Sequence, residues 1–290
     1  EATLQEELNP EVRKKIVERV GKFGPEAEDA VPILLDHFEK ESSAEVRMSI
    51  IASLSQILPP VLLVFPFLEF LPKEIEPEIR KKIAEEIGKA ENGAREAVPL
   101  LIKQFKEELN GDVRATLLWT LSQIQPTPKE LITLFIDALV DSENDVKENA
   151  AWALGKSGEL AEEAVPSLME LLKGGNKHVR SNAAWALCKI KKNATIVVPA
   201  LIEALKDESR NVRKESAWAL GEFHNEAEAA LSILIELTNY DADFEVRREA
   251  RSAQQLIGAS QQNLLQTLSE GLKSSNEETR YRAVMSLGKL

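Results

Sequence analysis

Apolar residues recur along this chain in two alternating helical patterns, repeated every 33 or 34 residues. The sharper pattern is anchored on a base preceded by an aliphatic residue: Val12-Arg13, Val46-Arg47, Ile79-Arg80, Val113-Arg114, Val146-Lys147, Val179-Arg180, Val212-Arg213 and Val246-Arg247, with Thr279-Arg280 as a non-aliphatic ninth copy. With the base as position 0, positions −1, +3, +4, +6 and +7 are apolar or small. They cluster on one face at about 100° per residue, which predicts an amphipathic helix. The second pattern lies upstream in each unit, as in Val165, Leu168, Met169, Leu171 and Leu172, or Val198, Leu201, Ile202 and Leu205, and predicts another helix. Proline stands near its start in five units, at Pro32, Pro66, Pro99, Pro166 and Pro199, where a missing N–H is tolerated or a kink results. Leu131-Ile132, Leu231-Ser232 and Leu264-Leu265 fill the same slot without proline.

The polar positions say where the second helix of each unit begins. Four residues before the base stand Asn9, Ser43, Glu76, Asn110, Glu143, Asn176, Ser209, Asp243 and Asn276, seven of them good N-caps. Pro10 and Pro77 then fall at the first helical position, and acidic residues follow one place later in seven units, where they favour the positive end of the helix dipole. Six before the base stand Glu7, Glu41, Glu74, Glu108, Asp141, Gly174, Asp207, Asp241 and Ser274. An acid and a base at fixed spacing predict a ladder of ion pairs running along a stack of units, a reading preferred here to phosphate binding.

The only tryptophans, Trp119, Trp152, Trp185 and Trp218, keep the same period and sit at position +5. That direction is about 170° from the centre of the apolar cluster, so the indoles are expected to leave their helices away from the core. Stacked helices about 10 Å apart would set four indoles in a stripe about 30 Å long. Beside it lie Asn149 and Asn182 at +2, and Lys156 and Lys189 at +9. Large indoles flanked by amides that can pair with an extended backbone predict a peptide-binding groove made of these eight residues. The competing expectation is that each indole folds against a neighbouring unit and merely lines the wall.

The repeated unit V-P-x-L-x-x-L, acidic turn, V-R-x-x-A-A-x-A-L-G resembles the HEAT repeat, in particular the PBS-lyase HEAT-like subgroup, over essentially the whole chain. The resemblance implies an α-α superhelix of antiparallel helix pairs, with the second helices on the concave side. By this count residues 1–290 form a single HEAT-like solenoid of about eight complete helix pairs, preceded by a partial first unit with the tail of a first helix at Ala2 to Leu8. The chain opens inside a repeat and shows no polar cap at either end, so a piece of a longer array is expected. Two units are irregular: Ile57 to Pro72 is apolar and proline-rich, and Ala250 to Gly258 places Gln254 and Gln255 where other units carry Leu and a small residue, predicting looser packing or a bend. The Trp row also resembles the Trp and Asn arrays of the importin-alpha armadillo groove.

Composition narrows the partners. A formal net charge of −12 opposes general affinity for phosphate backbones or anionic membranes, so no nucleic acid and no membrane partner is expected. The stretch Ile57 to Pro72 is too short to span a bilayer and is broken by Pro59, Pro60, Pro66 and Glu69. One cysteine, Cys188, and no signal peptide point to a reducing, cytoplasmic setting. Cys188 fills a slot held elsewhere by Gly21, Gly88, Gly155 and Gly221 and reads as a packed thiol. His37, His178 and His224 read as surface histidines without metal-ligand spacing. No phosphate loop, G-x-S-x-G or H-E-x-x-H is present, so no catalytic residue, metal or cofactor is assigned. The expected function is therefore a non-catalytic scaffold or sensor module binding a protein or extended peptide. The resemblance adds an alternative, phycobilin attachment or isomerisation, and likens the array to C-terminal regions of bacterial signalling NTPases. A further likeness, to HEAT-like DNA-repair glycosylases, requires a basic face that the charge does not supply.

Overall fold

The structure, a computed structural model, describes residues 7–125 and 127–273 together with Arg280, and for 259–271 the backbone alone. It divides into two compact units, Glu1–Ala153 and Leu154–Leu290. The first holds α1 (Pro10–Gly21), α2 (Val31–Lys40), α3 (Ala44–Ile57), α4 (Pro60–Phe70), α5 (Pro77–Gly88), α6 (Val98–Glu107), α7 (Gly111–Ser122) and α8 (Lys129–Ala138). Helix α9 (Asn144–Ser157) contains the boundary residues, and the second unit continues with α10 (Val165–Lys173), α11 (Lys177–Ile190), α12 (Ala194–Ala204), α13 (Arg210–Glu222), α14 (Leu231–Tyr240) and α15 (Phe244–Leu272). No helix among the described residues is long and apolar enough to cross a membrane.

Within each unit the predicted pairing is met. First helices lie on their own second helices, α2 on α3, α4 on α5 and α6 on α7, then α10 on α11 and α12 on α13. Second helices stack on each other, α1 on α3 and α5 on α7, then α11 on α13 and α13 on α15. Positions −1, +3, +4 and +7 supply the seam: Val46, Ile50, Ile51 and Leu54 are fully buried, as are Val113, Leu117, Leu118 and Leu121, and Val179, Ala183, Ala184 and Leu187. Each such branched aliphatic side chain stabilises by about 1.5–3 kcal/mol relative to exposure. Position +6 is small because backbones meet there, and its hydroxyls cross between repeats: Ser53 donates to the Val17 carbonyl at 3.0 Å and Thr120 to the Ala84 carbonyl at 2.7 Å.

The acid–base ladder forms as the spacing predicts. Arg13 meets Glu41, Arg47 meets Glu74, Arg80 meets Glu108 and Arg114 meets Asp141 in the first unit, and Arg180 meets Asp207 and Arg213 meets Asp241 in the second. All six are two-pronged, with N–O distances of 2.7 to 3.0 Å. The remaining edge of each arginine donates to carbonyls of the turn before its own helix, as Arg47 does to Glu41 and Ser42. Each acid in turn accepts the amide of the capping residue two places on, as Glu41 does from Ser43. One rung thus joins two repeats and fixes a helix start. Asn9, Asn110 and Asn176 also cap through their own side chains, at Glu11, at Val113 and at His178 with Val179.

Three local features depart from a plain alternation of helices. Between second and first helices lie 3-10 segments, Gly24–Ala30, Glu91–Ala97, Gly158–Ala164 and His224–Ala230, entered in a left-handed conformation at Gly24 (φ +59°) and Gly158 (φ +57°) but also at Glu91 and His224. In α4 and α12 the α-helix itself starts upstream instead, which leaves Pro66 and Pro199 inside rather than at the start. Helix α15 runs unbroken from Phe244 to Leu272, so the separate first helix expected around Leu264-Leu265 is absent as a separate element. Gly258 stands at +11, the register at which Gly24 and Gly158 turn left-handed, but it stays helical here, and no proline follows it before Leu272. In place of the expected loosening, its buried row is Val246, Ala250, Ala253 and Ile257, and Gln254 turns aside to donate to the Leu234 carbonyl and the Thr238 hydroxyl. Ala2 to Glu6 and most of the last expected pair lie outside the described residues.

Candidate partner-binding face

All four tryptophans sit on second helices, Trp119 on α7, Trp152 on α9, Trp185 on α11 and Trp218 on α13, and all four are half-buried. What covers Trp119 and Trp185 is the preceding repeat. The six-membered edge of the Trp119 indole lies over Gly88, and that of Trp185 over Gly155, so close that a Cβ on either glycine would collide with the ring. Gly88 and Gly155 both occupy position +8. A residue without a side chain there opens the floor on which the next repeat's +5 indole rests. Cys188 holds the same position before Trp218; it is buried, and desolvation together with the charge of Glu222 pushes its thiol pKa up to about 12. Burial and the raised pKa both disfavour the reactive thiolate.

In the second unit the exposed side of the row carries charge. The Lys189 ammonium lies 5.9 Å from the Trp185 ring centre and 5.0 Å from that of Trp218, within reach of both π-faces. Trp185 and Trp218 border a cleft of about 210 Å³ completed by Lys214, Glu215 and Glu249. Lys214 and Glu249 were not singled out by the sequence reading. Helical arithmetic carries the signal, since Lys214 is at +1 and Glu249 at +2 of the following repeat, the same side as +5. Lys156 is half-buried at the register of Lys189.

The asparagines are partly committed to the fold. Asn149 donates its side-chain amide to the Ala115 carbonyl of the repeat before, at 2.9 Å, and so acts as a rivet between second helices. Asn182 stands half-buried at the same register. Near Asn149, in the first unit, a polar cleft of about 220 Å³ is lined by Lys81, Asp112, Thr116, Asp145 and Glu148.

The histidines need one correction. His178 is exposed and His224 half-exposed, but His37 is buried on α2 with Nε2 3.1 Å from the Glu41 carboxylate. Position on the helix decides this: His37 is one residue from Phe38 and four from the ladder acid, on the edge that faces the rung. Burial raises the Glu41 carboxyl, but the hydrogen bonds from Arg13 and the Ser43 amide outweigh it and leave the group below its ordinary range. No cluster of three or more His, Cys, Asp or Glu side chains able to hold a metal ion occurs among the described residues.

The family whose description is HEAT repeats matches residues 98–188 and 165–255, together more than half of the chain. The chain belongs to the HEAT-repeat family. It is an all-α solenoid protein of that class, and no curated protein sequence matches it. Among solved structures, this HEAT-repeat chain is similar to YibA of E. coli, at 20% identity and a TM-score of 0.58, with 95% of this chain and 96% of YibA covered. A mutant of Kap121p gives a TM-score of 0.62 at 12% identity, covering 94% of this chain and 35% of Kap121p. The complex of CpcE and CpcF of phycocyanin lyase from Nostoc sp. PCC7120 gives 0.50 at 21% identity, covering 80% of this chain and 95% of the other. At these identities the likeness is one of fold.

Proposed function

We propose that this HEAT-repeat chain is a non-catalytic binding module whose Trp-bearing second helices engage a protein or an extended peptide. The observation that supports the reading is the surface at Trp185 and Trp218: two half-buried aromatic rings, a lysine poised on both, and a cleft edged by one base and two acids. A ring already held by the repeat behind it, as Trp185 is, loses little entropy on binding, and both rings offer apolar area beside hydrogen-bonding groups. Trp119 and Trp152, with Asn149, would serve the same purpose in the first unit, and Asn182, Lys156 and Lys189 would add polar contacts and charge in the second. The likeness to CpcE and CpcF assigns no bilin chemistry.

Solvent access to the indoles tests the reading. Variants each retaining one tryptophan, the others replaced by phenylalanine, should show acrylamide quenching of Trp185 and Trp218. Peptides selected from a displayed random library on the intact chain should protect those rings and bind about tenfold more weakly, or worse, to Trp218→Ala. Blue-shifted emission that acrylamide cannot quench at any of the four positions would reduce the row to inter-repeat packing.

A further inference from the structure

The first unit carries a second surface, remote in sequence from the tryptophans, where the fold leaves apolar side chains in water. On α4, Val61, Leu62 and Phe65 are 49%, 55% and 52% exposed. They form one stripe, at i, i+1 and i+4 of the helix. The opposite face is already used: Leu63, Val64 and Phe67 are buried almost completely, and Phe70 stacks on Phe38 of α2 with ring centres 4.4 Å apart. The helix therefore cannot roll inward to hide the stripe.

Among the other described stretches at this register such exposure is single, at Leu160 and at Ile196, rather than a stripe. The corresponding stretches GPEAEDA, ENGAREA, GELAEEA and HNEAEAA are 3-10 segments dominated by alanine and carboxylates. Here the chain reads PVLLVF and is α-helical. Beside it runs a groove of about 450 Å³ between α2 and α4, lined by Leu35, Asp36, Glu39, Phe65, Pro66 and Glu69. Phe70 lines it too, and three of the seven residues are carboxylates. Asp36 is paired with Lys40 and Glu39 with Lys73, while Glu69 makes no ion pair among the described residues.

We propose that this stripe and groove dock an amphipathic helical segment of a separate protein, apolar along one face and bearing lysine or arginine at its flanks. Contiguous apolar surface with a polar rim marks an interaction site, and helix-in-groove recognition uses anchors at i, i+3, i+4 and i+7 against such a face. The rim sets the sign of the partner. Its carboxylates, on a chain of net charge −12, repel both a second copy of the chain and an anionic membrane, and attract a basic segment.

The test uses the intact chain and a labelled synthetic peptide designed to form a helix with leucines on one face and lysines on the other. Fluorescence anisotropy should show saturable binding that weakens with salt. Replacing the peptide's lysines by glutamates, or combining Leu62→Ser with Phe65→Ser in the protein, should weaken it about tenfold or more. Glu69→Lys should weaken it less and flatten the salt dependence. Because the substituted side chains are exposed, the helical circular dichroism and melting temperature should stay as in the parent. Absence of saturable binding, or binding indifferent to both protein variants, overturns the proposal. So does either other occupant: a dimer in sedimentation that Phe65→Ser dissolves, or Phe65-dependent flotation with vesicles of phosphatidylcholine and phosphatidylserine.

Discussion

Arg47 shows what one position in the repeat has to do. Its Nε and Nη2 grip the Glu74 carboxylate at 2.8 and 2.9 Å, its Nη1 takes the Glu41 and Ser42 carbonyls, and Glu74 also accepts the Glu76 amide. Both side chains are nearly out of water, at 10% and 3% exposure. Removing the arginine leaves a buried carboxylate and a buried turn without their donors. Arg47→Ala should therefore cost about 3–5 kcal/mol in chemical denaturation, whereas removing Lys173, exposed and paired with exposed Glu170, should cost about 0–1. Arg47→Lys should recover only part of the loss, because an ammonium cannot span both oxygens and both carbonyls as the planar guanidinium does. A cost below about 1 kcal/mol for Arg47→Ala would show that the rung is incidental. Both partners were legible in the sequence from their fixed spacing. The burial of His37 was not, because its lone position gave no period to compare.

At the scale of the element, the second helices are positioned by what they lack as much as by what they carry. Gly155 lies under Trp185 and against the Ala186 backbone, so a methyl group there must displace the indole or the helix. Gly155→Ala should lower stability by about 1–3 kcal/mol through overpacking and shift the Trp185 emission to the red as the ring is lifted into solvent. Gly258→Ala is the control: a Cβ at that position in α15 meets nothing within 4 Å. It should be neutral, or stabilising by up to about 1 kcal/mol through helix propensity. Equal behaviour of the two variants would mean that the indole is not seated on the glycine. Helix starts were readable because the caps recur with the base. The upstream starts of α4 and α12 and the unbroken α15 were less so, since a connection is recognised by glycine and proline whose effect depends on the neighbours each end finds.

For the whole molecule the ladder makes stability depend on pH. The carboxyls of Glu41, Glu108, Asp141, Asp207 and Asp241 are raised by burial, but the guanidinium and amide bonds they accept prevail and hold each below its ordinary value in the folded state. The unfolded chain then binds more protons than the folded one as pH falls through the ordinary carboxylate range. The stabilisation is complete above the unfolded values, about 4, and is lost as pH drops toward the depressed folded ones. Melting temperatures should be nearly level from about pH 7 to about pH 5 and decline steeply below about pH 4; a level profile down to about pH 3 would remove the ladder as a source of stability. Period, helix pairing, caps, ladder and the +5 row of tryptophans were all determined by the sequence alone, because each repeats and a repeated interval converts directly into an angle and a neighbour. Only the tertiary structure decided that Trp119 and Trp185 rest on position +8 of the repeat before, that Asn149 commits one amide bond as a rivet between repeats, and that α4 keeps an apolar face in water. Those outcomes depend on which surface of one repeat meets the next, and that is set by the combined bulk of side chains far apart in the chain.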